Sequence, residues 1–144
     1  MKKFLYATVA FALSVVGLGF SAPSASASNH ADTPFSGVVG YYDEGYTQWR
    51  TKTNTTSVYV KNNNIASLRI RGLRPGGTGY GINETLGGSA VVPANTARAI
   101  RTNIYERGGR SARIGIRLNA SHLNPGRVSG LWSPDSVGKL VNAN

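Results

Sequence analysis

Apolar residues recur at every second position in several short stretches of this chain, the spacing that puts one face of a strand against a core. Residues 112–118 carry it most cleanly, with Ala112, Ile114, Ile116 and Leu118 on one side and Arg113, Gly115 and Arg117 on the other. Residues 55–61 alternate in the same way, with Val58 and Val60 opposed to Ser57, Tyr59 and Lys61. Residues 67–72 set Leu68 and Ile70 against Arg69 and Arg71. Weaker strand patterns run over 36–42, 46–51 and 127–132. The stretch 96–106 fits two periods, since Ala97, Ile100 and Ile104 match a helix while Arg98, Ile100, Thr102 and Ile104 alternate; strand is preferred.

The segments between are turn chemistry. Asn62-Asn63-Asn64 tolerates left-handed backbone, so 55–72 reads as a hairpin. Gly108-Gly109 is expected to close a second hairpin, from 96–106 into 112–118. The glycine-rich stretch 74–81 reads as a loop; it lacks the G-K-[ST] ending of a phosphate-cradling loop and no helix follows it. Ser133-Pro134-Asp135-Ser136 ends the last strand, and 137–144 caps an edge or frays. Six or seven short strands with turns between them predict an all-β chain, a single antiparallel β-sandwich or barrel-like domain.

The N-terminus breaks the pattern. Lys2 and Lys3 precede an apolar run over 4–20, and Ala25-Ser26-Ala27 follows as an A-x-A site. That order is a cleaved secretory signal peptide, residues 1–27, leaving one domain over 28–144 that is secreted and extracellular or wall-associated. No later apolar stretch has the length of a membrane-spanning segment. The chain has no cysteine, so packing and backbone pairing must replace the disulfides common in small exported domains.

Charge sharpens the picture. Without Lys2 and Lys3 the sixteen Lys+Arg become fourteen against six Asp+Glu, a net of +8. Eleven of the fourteen are Arg, the side chain suited to bidentate recognition of phosphate and carboxylate. Arg69 and Arg71 share one strand face and Arg113 and Arg117 another, so a common sheet would make a basic, anion-binding stripe, with Tyr59 and Tyr105 as accompanying aromatics. The partners this implies are an anionic wall polymer or an anionic membrane surface, with nucleic acid disfavoured.

Catalytic layouts are starved. His30 and His122 are the two histidines. Ser121, His122 and Asp135 form a nominal triad, but there is no G-x-S-x-G elbow and adjacent strand residues point apart. Asp43-Glu44 reads as a turn and not as a catalytic pair. The expectation is therefore a non-enzymatic protein, ahead of a small hydrolase or inhibitor. One metal site is conceivable. A chain starting at Ser28 offers an α-amine, the amides of Asn29 and His30, and the His30 imidazole, a square-planar set for Cu(II) or Ni(II). No other cofactor is implied.

Residues 29–36 (NHADTPFS), 50–60 (RTKTNTTSVYV) and 129–136 (SGLWSPDS) occur in this order. Together they resemble a family of small secreted bacterial proteins of unknown function, whose mature part opens with N-H-x-D-T-P-F-S-F and closes with W-S-P-D-S. Gly37 stands where that family carries an aromatic. The resemblance implies one exported all-β domain and brings no activity, catalytic residue or ligand with it. The alternative functional class is a secreted antimicrobial or antagonistic polypeptide, which cationic charge and a leader fit but which lacks a long amphipathic stretch.

Overall fold

The computed structural model describes residues 29–77 and 79–144; the expected leader over 1–27 and Ser28 lie outside the described residues. Ten strands and no helix are present among the described residues. They are β1 (Thr33–Val39), β2 (Gly45–Tyr46), β3 (Arg50–Thr51), β4 (Val58–Asn62), β5 (Leu68–Arg74), β6 (Ile82–Asn83), β7 (Ala90–Val92), β8 (Ala97–Ile100), β9 (Ser111–Leu118) and β10 (Gly126–Ser133). They form two antiparallel sheets. One has the order β1-β10-β4-β8, and the other the order β2-β9-β5-β6, with β3 also on β9 and β7 also on β5. The all-β, sandwich-like reading of the sequence holds.

Alternation placed the faces correctly. Val58, Val60, Leu68, Ile70, Ala112 and Ile114 are wholly buried, and with Ile100, Val92 and Trp132 they fill the space between the sheets. Packing of this kind, not cross-linking, holds a cysteine-free domain together. Phe35 lies over Gly130 of the paired strand, where any Cβ would run into the ring and the Lys61 carbonyl.

The two expected hairpins are not hairpins. β4 lies in the first sheet and β5 in the second, so 62–67 arches across the core and does not join neighbouring strands. The buried Asn62 side chain builds that arch. Its Nδ2 donates to the carbonyls of Ala66, Val92 and Pro93, and its Oδ1 accepts from the backbone and side chain of Asn64. The second correction has the same form. The stretch 96–106 is strand only at Ala97–Ile100, on β4, and a turn over 104–108 anchored by buried Ile104 carries the chain to β9 in the other sheet.

Two further elements complete the sheets. The expected strand over 46–51 is split into β2 and β3, both on β9. Tyr46 opposes Gly115 while Arg50 opposes Ala112, so the register shifts by one residue between them, as a β-bulge does. At the other end the C-terminal residues cap the β8 edge. Ala99 donates to the Val141 carbonyl and accepts from Ala143.

Candidate functional site: an arginine face and a buried ion pair

β5 and β9 are neighbours, and their register brings the four arginines onto one surface. Arg69 opposes Arg117, Arg71 opposes Gly115 and Leu73 opposes Arg113. The stripe read from the sequence is therefore one surface, but its members are in unlike states.

Arg71 is occupied. Its Nε donates to Glu44 Oε1 at 2.8 Å, and its Nη2 donates to Glu44 Oε2. Tyr46 donates its hydroxyl to the same Oε2 at 2.9 Å. Burial pushes the Glu44 carboxyl up, but the hydrogen bonds from Arg71 and Tyr46 and the charges of Arg71 and Arg117 hold it below its ordinary value. The Glu44 bond in turn raises Arg71. Gly115 makes this possible, because a Cβ there would occupy the place of the Glu44 carboxylate.

Arg113 is occupied differently. Its guanidinium sits 4.7 Å from the centroid of Tyr46 and 4.5 Å from that of Trp49, and it donates through Nε and Nη2 to the Tyr80 carbonyl. Tyr46 and Tyr80 stack at 4.6 Å. The bulge between β2 and β3 lies where Trp49 reaches this face. The aromatics expected beside the stripe are elsewhere: Tyr59 is on β4 in the other sheet, and Tyr105 lies under Arg110 in the turn after β8. Tyr46, Trp49 and Tyr80 take their place. A bulge and a loop put them there, and neither leaves a periodic signal.

Arg69 and Arg117 are open. Arg69 reaches only the neutral Asn119 Oδ1, at 3.2 and 3.1 Å. The Arg117 Nε is buried with no hydrogen-bond partner. Neither has a carboxylate within 4.0 Å among the described residues. Like charges directly opposite on paired strands repel, so this pair is a local cost that an anion would relieve.

The three segments behind the family resemblance meet at a second polar cluster. The Lys52 and Asp135 side chains are both fully buried, 3.0 Å apart. The Lys52 Nζ also donates to the carbonyls of Thr56 and Pro134, so all three ammonium protons are used. The other Asp135 oxygen accepts from the backbone and hydroxyl of Thr53 and from the Asn29 amide. Burial pushes Asp135 up, and the bonds from Lys52 and Thr53 outweigh it and hold it below the ordinary carboxylate value. Burial pulls Lys52 down against the pull of Asp135. Arg50 completes the cluster, donating to Asn29 Oδ1 at 2.5 Å and to the Trp132 carbonyl at 3.2 Å.

This cluster bears on two expectations. Asp135 has both oxygens taken by Lys52, Thr53 and Asn29, so it does not orient His122. Of the amino-terminal metal set, Ser28 lies outside the described residues and the Asn29 amide is held by Asp135. His30 has a buried Nδ1 without a partner, in a cavity shared with Asp32, Tyr59 and Ser136. Among the described residues no three His, Cys, Asp or Glu side chains form a metal-sized group, and no helix is long and apolar enough to cross a membrane.

Fold and surface define the class: a disulfide-free, two-sheet antiparallel β domain with an arginine-rich outer face and a buried ion pair tying its N-terminal segment to its last strand. The chain belongs to the family described as "Protein of unknown function (DUF2712)", whose model matches residues 23–136. No curated protein and no solved structure matches it.

Proposed function

We propose that this is an exported, non-enzymatic domain that associates with anionic polymer at the cell surface through the outer face of β5 and β9. The observation that carries the reading is the Arg69–Arg117 pair: two guanidinium groups on facing positions, without a carboxylate partner, one with an orphaned buried Nε. A phosphate or carboxylate lying between them would accept hydrogen bonds from both and remove their mutual repulsion. The wider charge balance supports it. Three of the six acids, Glu44, Glu84 and Asp135, are spent on ion pairs, which leaves Asp32, Asp43 and Glu106 to offset the cations that are not paired. Export rests on the leader pattern of residues 1–27. The test is retention on an anionic wall polymer as salt is raised, comparing wild type with Arg69→Gln/Arg117→Gln. Wild type should release steeply with salt and the double variant should bind less and release less steeply. Equal behaviour would return these arginines to the status of a solvated strand face.

A further inference from the structure

A second basic feature lies at the end of the β5–β9 sheet, away from the Arg69–Arg117 pair. Arg74, Arg107 and Arg110 line one cleft of about 280 Å³, with Pro75, Gly108, Gly109 and Ser111 as the rest of its wall. Three arginines line it because three unlike elements end there: β5 at Arg74, the turn after β8 at Arg107, and the entry to β9 at Arg110.

Two of the three are held in place by neighbours. Arg74 donates its Nε to Glu84 Oε1 at 2.6 Å and its Nη1 to the Pro75 carbonyl. Arg110 lies 4.0 Å from the centroid of the Tyr105 ring and donates Nη1 to the carbonyls of Tyr105 and Gly109. Gly109 is required here, since a Cβ would strike the Ile104 carbonyl and crowd the Arg74 stem. The third, Arg107, is 64% exposed and faces Glu84 through Nε at 3.6 Å, which leaves both of its Nη groups for a ligand.

The balance of charge and donors is unfinished. Glu84 is the one carboxylate paired with any of the three, and Glu106 forms no ion pair with them among the described residues. The Nη2 of Arg74, both Nη of Arg107, and the Nε and Nη2 of Arg110 donate to no protein acceptor among the described residues. Three arginines on one cleft, two of them already ordered and all with N–H donors to spare, supply what the oxygens of a tetrahedral anion accept, and prior ordering lowers the entropy lost on binding.

We infer that this cleft is a binding site for a phosphate group, as inorganic phosphate or as a phosphodiester of a polymer. The site is independent of the Arg69–Arg117 reading. The test is an NMR titration of the ¹⁵N-labelled protein with inorganic phosphate at constant ionic strength, repeated with dimethyl phosphate. Amides of Gly108, Gly109, Arg110 and Ser111 should shift along a saturating curve. Arg107→Gln/Arg110→Gln should weaken binding by about tenfold or more, the scale of two charge-assisted hydrogen bonds, while Arg69→Gln leaves it unchanged. An otherwise unaltered amide spectrum of the double variant shows that the fold survives. Dimethyl phosphate binding as tightly as inorganic phosphate assigns the site to polymer phosphodiesters; preference for inorganic phosphate assigns it to the free ion or a terminal monoester. Shifts that do not saturate, or that persist in the double variant, would overturn the site.

Discussion

The Lys52–Asp135 and Arg71–Glu44 pairs are both cation–carboxylate contacts, and they differ in what burial makes of them. Lys52 and Asp135 are fully enclosed, and every donor and acceptor has a protein partner. Such a pair is closed to ligands, and its role is to fix which segments meet. Arg71 and Glu44 lie at the surface, with side chains 28% and 9% exposed, beside two arginines with no carboxylate of their own. Under the proposed function the carboxylate there competes with the arriving anion. The same chemistry is architecture in one place and a tunable surface in the other.

Breaking the buried pair should have the largest effect. Asp135→Ala leaves a buried ammonium without its counter-charge and should cost about 3–5 kcal/mol in urea unfolding, whereas Lys52→Met/Asp135→Leu removes both charges and should cost less, the remainder being the Thr53 and Asn29 N–H groups left without an acceptor. The pH dependence follows from the depressed Asp135 pKa. The unfolded carboxyl titrates near about 3.9, so its contribution is complete above that pH and lost as pH falls through the lower folded value. Unfolding midpoints followed from pH 6 downward should show this loss in wild type, and Asp135→Ala should lack that component.

Next in size is Arg113, a surface residue by sequence pattern and a packed one in the structure. Arg113→Glu removes its stacking on Tyr46 and Trp49 and its bonds to the Tyr80 carbonyl, and should lower stability by about 1–2 kcal/mol in the same assay. No loss would mean that the stack is incidental.

Glu44→Gln sharpens the surface half of the comparison. Gln keeps an acceptor for Arg71 and for Tyr46, so losing the charge of this part-buried pair should cost about 1 kcal/mol. Affinity for anionic polymer should rise several-fold, because Arg71 is released and a negative charge leaves the face. A fall in affinity would show that Glu44 is organising the site, not competing for it.

The smallest expected effect is that of copper. Square-planar binding at Ser28-Asn29-His30 needs an ionised Asn29 amide, which now donates to Asp135. An amino-terminal set also binds the unfolded chain, so Cu(II) should leave the melting temperature unchanged or lower it. A clear rise, absent in His30→Ala, would place the metal in the folded cavity beside Asp32 and Tyr59.

The legible and illegible parts of this molecule divide along physical lines. Alternation identified the faces of β4, β5 and β9, because burial on one side imposes a period of two whatever the strand pairs with. It could not say whether consecutive strands lie side by side or face to face, so both expected hairpins proved to be arches. That choice is made by single buried groups such as Asn62 and Ile104, which carry no periodicity. The arginines were visible as two pairs that a common sheet would join into one stripe, but their division into occupied and open members depends on Glu44, Tyr46, Trp49 and Tyr80. Those arrive from a bulged strand and a glycine-rich loop. Asp135 read as part of the turn that ends the last strand and Lys52 drew no reading of its own, because the pairing that permits their burial joins positions far apart in the chain.

The most direct test of the division is the salt dependence of polymer binding in Arg69→Gln/Arg117→Gln, measured beside its unfolding midpoint. Loss of two phosphate-type contacts should reduce the slope of log affinity against log salt by about two and weaken binding at low salt. The urea midpoint should hold or rise, since the facing charges repel. An unchanged slope with an unchanged midpoint would contradict the assignment of this face to anion binding.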